Sequence, residues 1–552
     1  MAKLTPGDLP SPSPDLGGII KFLPHRKIAP LIGQPVVLRR MSTNRSLAIG
    51  IDLGTTFSVI ARLDDVGRPV TVPNAEGDLT TPSVILFDAG DVVVGKEAVK
   101  ALFTDAERVA ECPKREIGAS LFSKVVDGQQ FAPEVLEAYI LKRLVDDARR
   151  QLGDFDQAVI TVPAYFDDVR RKATQDAGYM AGIEVLDIVN EPQAAAVAFG
   201  YQEGFLTPEG RSEVPRNILV YDLGGGTFDI TLMRIEGKDF ITLAVDGDVQ
   251  LGGRDWDERL VNTIAEQFMK ENGLDPREHA SAAGRLWRDC EEAKRTLSSR
   301  KKAIINCDYR GRSLQREITR DEFRSLTLDL LDRTKFTTRQ ALQAAGLSWD
   351  QIDRVLLVGG STRMPMVIDM LKELTGRDPD HSVSADEAVA HGAALRAGLA
   401  IAENAGRPPN FNLRNVNSHS LGVVGTDPQT LRKRNVIMIP RNAPLPVEAR
   451  KIFRTQRAGQ KGILVEIVEG ESMLPEACTP IGQCAVRDLP QSLPAGAPIE
   501  VRFRYGADGR LGVGVKVADT EIELQHEITR ETGLSQAELD AWRAKIMATP
   551  VG

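Results

Sequence analysis

Ile49-Gly50-Ile51-Asp52-Leu53-Gly54-Thr55-Thr56-Phe57 returns in form later in the chain as Leu219-Val220-Tyr221-Asp222-Leu223-Gly224-Gly225-Gly226-Thr227-Phe228. Each copy is an apolar strand, an aspartate, a turn of glycine and threonine, and a second strand opening at phenylalanine. Glycine permits tight turns and close backbone approach, so peptide N–H groups there can face phosphate oxygens, and the threonine hydroxyls add donors. The duplication suggests two similar lobes with a ligand between them. Gly54, Thr55 and Thr56 would grip a polyphosphate from one side, and Gly224, Gly225, Gly226 and Thr227 from the other. Asp52, Asp222 and Asp229 would stand around a hydrated Mg2+, since this hard cation keeps its waters beside phosphates. A lone Asp-Gly segment is ordinarily a plain hairpin turn; the repetition argues against that here.

A third element, Val355-Leu356-Leu357-Val358-Gly359-Gly360-Ser361-Thr362-Arg363, is a strand, a glycine pair and the start of a helical stretch. A nucleotide can approach backbone at such a place, with Arg363 available to stack on a purine, although alone it reads as a turn. Neither G-x-x-x-x-G-K-[ST] nor a helix-opening G-x-G-x-x-G is present, so the expected nucleotide site is of another kind. Around these motifs, residues 46–405 alternate short apolar strands with amphipathic segments, an α/β texture. Gly406-Arg407-Pro408-Pro409-Asn410 then breaks it, and 406–416 reads as a linker. Residues 417–528 hold β-rich runs without a long helix. At 529–552 one short helix is expected, with Ser535 as N-cap and Glu538 completing a capping box. Residues 1–45 contain seven prolines and no periodicity, which predicts disorder, and Met41 is an alternative start.

The whole chain excludes several classes. At 552 residues it exceeds what one hydrophobic core serves. Hydrophobic and charged fractions of 42% and 26% fit an ordinary globular protein, and no apolar run reaches the roughly 20 residues that span a bilayer, so no membrane is expected. A net charge of −8 argues against nucleic acid as partner. Five scattered cysteines without C-x-x-C or zinc spacing predict a reducing, cytoplasmic setting, with Cys478 and Cys484 as two small buried thiols.

Taken in order, Gly50-Ile-Asp-Leu-Gly-Thr-Thr-Phe-Ser58, Ile160-Thr-Val-Pro-Ala-Tyr-Phe166, Asn190-Glu-Pro-Gln-Ala-Ala-Ala196, Asp222-Leu-Gly-Gly-Gly-Thr-Phe-Asp229 and Val358-Gly-Gly-Ser-Thr-Arg-Met-Pro365 resemble the heat-shock protein 70 family of chaperones. The resemblance runs from about residue 46 to 528. It implies an actin-like, ribonuclease H-like duplicated ATPase domain followed by a β-sandwich that binds extended peptide. ATP would be hydrolysed slowly to ADP with Mg2+. Lys114 matches the lysine that positions the attacking water and offsets γ-phosphate charge, and Glu191 a carboxylate near that water; Thr227 and Asp222 complete the catalytic set. Glu291, Lys294 and Ser298, at i, i+3 and i+7 of one helical face, match the ribose and base contacts, joined by Gly359, Gly360, Ser361, Arg363 and Asp386. Without the resemblance that face reads as solvated, and Asp386 as a helix-dipole acid. Pro163 and Arg171 match the family's interdomain relay, and Val423, Ile463 and Val465 its peptide pocket, which strand alternation alone would call core. Unfolded polypeptide, a J-domain co-chaperone and a nucleotide exchange factor are the implied partners.

The chain departs from that pattern at three places. Asn412-Leu413-Arg414-Asn415 replaces a leucine-rich linker, which predicts weakened docking on the ATPase domain. Thr426 and Gln456 fall where apolar residues usually arch over the peptide. Most of the helical lid is missing after residue 552, which predicts faster peptide exchange. Two other readings stay open: a nucleotide-responsive scaffold for one dedicated partner, and a small-molecule kinase of the actin-like superfamily.

Overall fold

Two sheets that share a four-strand topology, an antiparallel meander with a parallel strand beside it, frame the centre of the molecule in this computed structural model. The structure describes residues 47–552 except 208–209, 428, 488, 507–510, 518–522 and 528–532. The disorder expected for 1–45 lies outside the described residues.

In the first array Pro69–Thr71, Phe57–Leu63 and Ile49–Asp52 form an antiparallel meander, and Gln157–Val162 and Glu184–Asn190 extend it in parallel. In the second, Asp239–Asp248, Phe228–Gly237 and Ser212–Leu223 make the same meander, and Arg354–Val358 adds in parallel beside Ser212–Leu223. The repeated sequence is therefore repeated topology, with each Asp-Gly turn joining the two strands of an antiparallel pair.

Two alanine-rich helices, Glu191–Gln202 and Ala388–Asn404, cross between the arrays. Their small residues are required by distance. A Cβ on Gly392 would lie 1.8 Å from the Ala194 carbonyl oxygen, and one on Gly50 would lie 2.1 Å from the Ala394 nitrogen. Helix backbone thus rests directly on helix and on strand, a close packing that gains dispersion along its whole length.

Each lobe has its own core. Leu136, Tyr139 and Ile160 belong to the first; Trp256, Phe228 and Phe268 to the second. The hairpin Lys302–Tyr309 and Arg312–Thr319 packs on the helix Ala280–Ser299, and strict alternation of exposed and buried residues along Lys302–Tyr309 shows one face covered and one in water.

Residues 412–414 add a strand to the second array: Asn412–Arg414 runs parallel to Asp239–Ile241, with Leu413 beside Phe240. Phe411 is buried edge-on against Phe240, ring centres 5.8 Å apart. The altered composition predicted weakened docking, yet one leucine and the phenylalanine before it supply an apolar anchor.

Beyond it, two four-strand sheets face each other. One is ordered Lys433–Ile439, Leu421–Thr426, Ile463–Glu469, Thr479–Val486; the other Val447–Arg454, Pro498–Tyr505, Leu511–Val517, Glu523–Glu527. Val465, Ile467, Phe503 and Val515 fill the space between. The last helix, Gln536–Ala548, begins with the capping box of Ser535 and Glu538 and packs on Asp168–Met180 and Pro133–Leu152 of the first lobe. No helix among the described residues is long and apolar enough to cross a membrane.

Candidate functional site

The cleft between the lobes is a cavity of about 900 Å3 into which both Asp-Gly turns and the Gly359-Gly360 turn open. Opposite turns nearly touch. A Cβ on Gly225 would lie 2.5 Å from Thr56 Cγ2, and one on Gly226 2.5 Å from Thr55 Cγ2, so any side chain there would fill the space a phosphate needs. The second turn is braced from behind, where Ser361 Oγ and the Gly253 N–H donate to the Gly224 carbonyl at 2.9 Å each.

Carboxylates crowd the floor. Asp222 and Asp229 face each other across paired strands, an arrangement that is destabilising for like charges without a cation. Burial, and next the charge of Glu191, push Asp52 and Asp229 up to about 7 and Asp222 well above its ordinary range. Lys114, 3% exposed, is the cation beside them: Nζ donates to Glu191 Oε1 at 2.6 Å and to the Leu53 carbonyl at 2.5 Å. Burial opposes the Lys114 charge, but Glu191 and Asp52 outweigh burial and hold the ammonium protonated. Asp52 also accepts from Thr161 Oγ1 at 3.2 Å, and Asp229 from the Tyr165 N–H at 2.8 Å.

The helix Ala280–Ser299 shows why one face carries the expected ribose and base contacts. Leu286, Cys290, Ala293 and Leu297 are buried in the lobe, and Trp287, Glu291, Lys294 and Ser298, each one residue further, turn toward the cleft. Lys294 Nζ donates to Asp257 at 2.7 Å. Arg363 and Asp386 form a bidentate pair at 3.0 and 2.6 Å on the rim.

The cleft therefore assembles Asp52, Gly54, Thr55, Thr56, Lys114, Glu191, Asp222, Gly224, Gly225, Thr227, Glu291, Lys294, Ser298, Gly359, Gly360, Ser361, Arg363 and Asp386, while Gly226 and Asp229 stand just behind its wall. Sequence reasoning passed over Arg295, Asp257, Arg254 and Glu137. Arg295 follows Lys294 into the cavity and lies over the Phe57 ring at 5.4 Å. Arg254 joins Glu111 of the opposite lobe at 2.6 and 3.1 Å and covers Trp287 at 4.4 Å. Trp287 was passed over as well, although it stands four residues before Glu291 on the same helical face. Nothing local flagged Glu137, which is fully buried with both carboxyl oxygens unpartnered and its charge felt by Lys114.

Away from the cleft, Pro163 and Arg171 frame a turn. The Pro163 carbonyl accepts from the Phe166 N–H at 3.2 Å, and Arg171 bonds the Ala164 and Phe166 carbonyls and Asn190. Val423 and Val465 are 3% and 2% exposed in the sandwich core, and Ile463 is half-buried at its edge. Gln456 Nε2 donates to Thr426 Oγ1 at 3.0 Å, so the two polar residues expected over the peptide are bonded to each other.

The sequence model of the Hsp70 protein family matches residues 48–549. The chain belongs to the Hsp70 family. It is 37% identical to the chaperone protein DnaK of Thermosipho africanus over 91% of this chain and 83% of that protein, and 36% identical to the DnaK of Thermosipho melanesiensis with the same coverage. As an Hsp70, the chain has an actin-like ATPase domain and a β-sandwich. It is an ATP-dependent molecular chaperone and an ATPase using ATP and ADP with Mg2+, and the scaffold alternative is not favoured. The Hsp70 cleft fits these groups. Asp257 Oδ1, which lines it, is buried without a donor, as an acceptor for a sugar hydroxyl would be. Among the described residues no three Asp, Glu, His or Cys side chains converge closely enough to ligate an ion directly. With carboxylates around the floor instead, Mg2+ fits as a hydrated ion held through its waters.

Proposed function

We propose that this Hsp70 holds extended segments of unfolded polypeptide in its β-sandwich and that the nucleotide in the cleft sets how tightly it does so. One chain of contacts supports the reading most directly. Asp229 on the cleft floor accepts from the Tyr165 N–H, and the Tyr165 carbonyl meets His419 Nε2 of the β-domain at 3.0 Å. The neighbouring Ala164 carbonyl accepts from Ser418 Oγ at 2.6 Å. A change of charge at the floor therefore reaches the β-domain through one short turn that Pro163 opens and Arg171 pins, a discrete element both sites can bias.

In the cleft, Thr55, Thr56, Thr227 and the turn N–H groups hold the phosphates, and Asp52, Asp222 and Asp229 orient the waters of the ion. Bound Mg2+ supplies charge neutralisation of the phosphate oxygens. Lys114 places its ammonium where negative charge develops, and Glu191 keeps that ammonium in register and accepts a hydrogen bond from the attacking water. Glu291, Lys294 and Ser298 with Gly359, Gly360, Ser361, Arg363 and Asp386 seat the nucleoside. Val423, Ile463 and Val465 form the apolar floor for peptide once the sandwich loosens. A J-domain co-chaperone and an exchange factor are the accompanying partners. The cytoplasm is the fitting compartment, since all five thiols are unpaired.

Single-turnover hydrolysis of prebound ATP, with and without an extended apolar peptide, tests this. A several-fold change in rate with peptide is expected in the wild-type chain and its loss in Ser418→Ala/His419→Ala; an unchanged wild-type rate contradicts the coupling. Lys114→Ala should still bind ATP but turn it over about 100-fold to 1000-fold more slowly.

A further inference from the structure

One stretch of the β-domain carries a charge opposite to that of the whole molecule. Between Leu431 and Lys461 stand nine lysines and arginines against a single carboxylate, Glu448, in a chain of net charge −8. Arg441 faces the ATPase domain, 3.0 Å from Asp246. The rest gather around two strands, Lys433–Ile439 and Val447–Arg454, each the edge of its sheet. These edges lie side by side, joined where Lys451 Nζ donates to the Ile437 carbonyl at 2.5 Å.

At one end they converge on the Thr426–Gln456 bond. Lys433 is the cross-strand partner of Thr426 and Arg434 that of Gly425, and Arg454 and Arg457 flank Gln456 in sequence. Local carboxylates balance only part of this charge: Lys433 pairs with Glu466 at 2.8 Å and Arg434 with Asp427 at 3.1 Å. Among the described residues, no ion pair engages Arg432, Arg450, Arg454, Arg457 or Lys461. Apolar surface sits within the same region, with Ile452 66% and Leu464 54% exposed.

We propose that this basic edge selects the client by charge: the β-domain takes extended segments whose apolar anchor is flanked by aspartate and glutamate, and rejects those flanked by lysine and arginine. The proposal rests on the reading of the β-domain as a peptide holder and names its substrate class. Exposed cations contribute little one at a time, but several unpaired ones within a Debye length add into a field that steers and discriminates. An edge strand offers its main chain to an extended peptide, which then lies along that field. Nucleic acid, the other polyanion, fits less well: the exposed large hydrophobic residues here, Leu431, Ile452 and Leu464, include no aromatic ring on which bases could stack.

The test uses the full chain with ADP and three fluorescent peptides that share a leucine-rich centre and differ in flanks of Asp, Ser or Lys. Binding anisotropy should rank Asp first and Lys last, separated roughly 30-fold at low salt and only a few-fold at 0.5 M. Arg454→Glu/Arg457→Glu, both exposed positions, should invert the order, and Arg432→Gln/Lys461→Gln should narrow it. Equal affinity for the three peptides overturns the charge selection while leaving the peptide cleft intact. Failure to bind any of them overturns the peptide cleft as well. Tighter binding of a single-stranded oligonucleotide or an anionic vesicle than of the Asp-flanked peptide, lost in the double-glutamate variant, also overturns it.

Discussion

Glu137 lies deep in the first lobe with no hydrogen-bond donor for either oxygen, and burial raises its carboxyl from 4.5 to about 8 while Lys114 pulls the other way. The folded protein therefore keeps this proton after the unfolded chain has lost it. Stability that Glu137 permits at low pH is lost progressively as pH rises from about 4.5 to about 8, and the loss is complete above that value. Glu137→Gln removes the ionisation. The variant should match wild type near pH 4 and exceed it by roughly 2 to 5 kcal/mol at pH 8.5, read as a pH-dependent gap in Tm. A gap that does not widen with pH contradicts the assignment. Such a residue was invisible in the sequence because its character comes from what surrounds it in space. The three aspartates could be singled out from the repeated Asp-Gly turns, whereas Lys114 and Glu191 entered only through the family resemblance, since nothing in their local spacing marks a phosphate.

At the scale of elements, the two hairpins and the helix Ala280–Ser299 were readable because local periodicity and turn residues determine them. The strand Asn412–Arg414 was not. Its three residues have no period, and its pairing with Asp239–Ile241 is a long-range choice made by the exposed edge of the second array. Leu413, half-buried beside Phe240, is the side chain that holds it. Leu413→Asp places a charge against that apolar surface and should cost about 2 kcal/mol locally. Proteolysis within residues 406–416 should accelerate several-fold while ADP affinity stays within twofold. Unchanged cleavage would show that the strand is held by its backbone alone. The same limit applies to Thr426 and Gln456: the sequence placed them at the arch, but not their mutual hydrogen bond.

Across the whole molecule, the β-domain and the last helix both lie on the ATPase domain. Tyr505 donates to Asp168 at 2.9 Å, Arg441 donates to the Val245 carbonyl at 3.0 Å, and Asn442 accepts from the Val245 N–H at 2.9 Å. In the helix Gln536–Ala548, Ile546 is fully buried, Trp542 meets the Phe131 ring at 6.0 Å and Tyr179 donates to Asp540 at 2.6 Å. Pro550–Gly552 then pairs beside Asp91–Val94. Ile546→Asp should cost about 3 kcal/mol at that contact and release the helix, seen as faster hydrogen exchange over residues 536–548, without weakening nucleotide binding. Equal exchange in both proteins contradicts a packed helix. None of these contacts has a signature in the sequence, since they join surfaces far apart in the chain.

All of these arrangements depend on one property, a cleft whose duplicated turns hold adenine nucleotide through a hydrated Mg2+. Calorimetric titration of the purified chain with ADP, with and without Mg2+, measures it directly. Micromolar or tighter affinity with Mg2+, weakened at least tenfold by EDTA, is the expected result; no heat of binding, or an affinity indifferent to Mg2+, would contradict it.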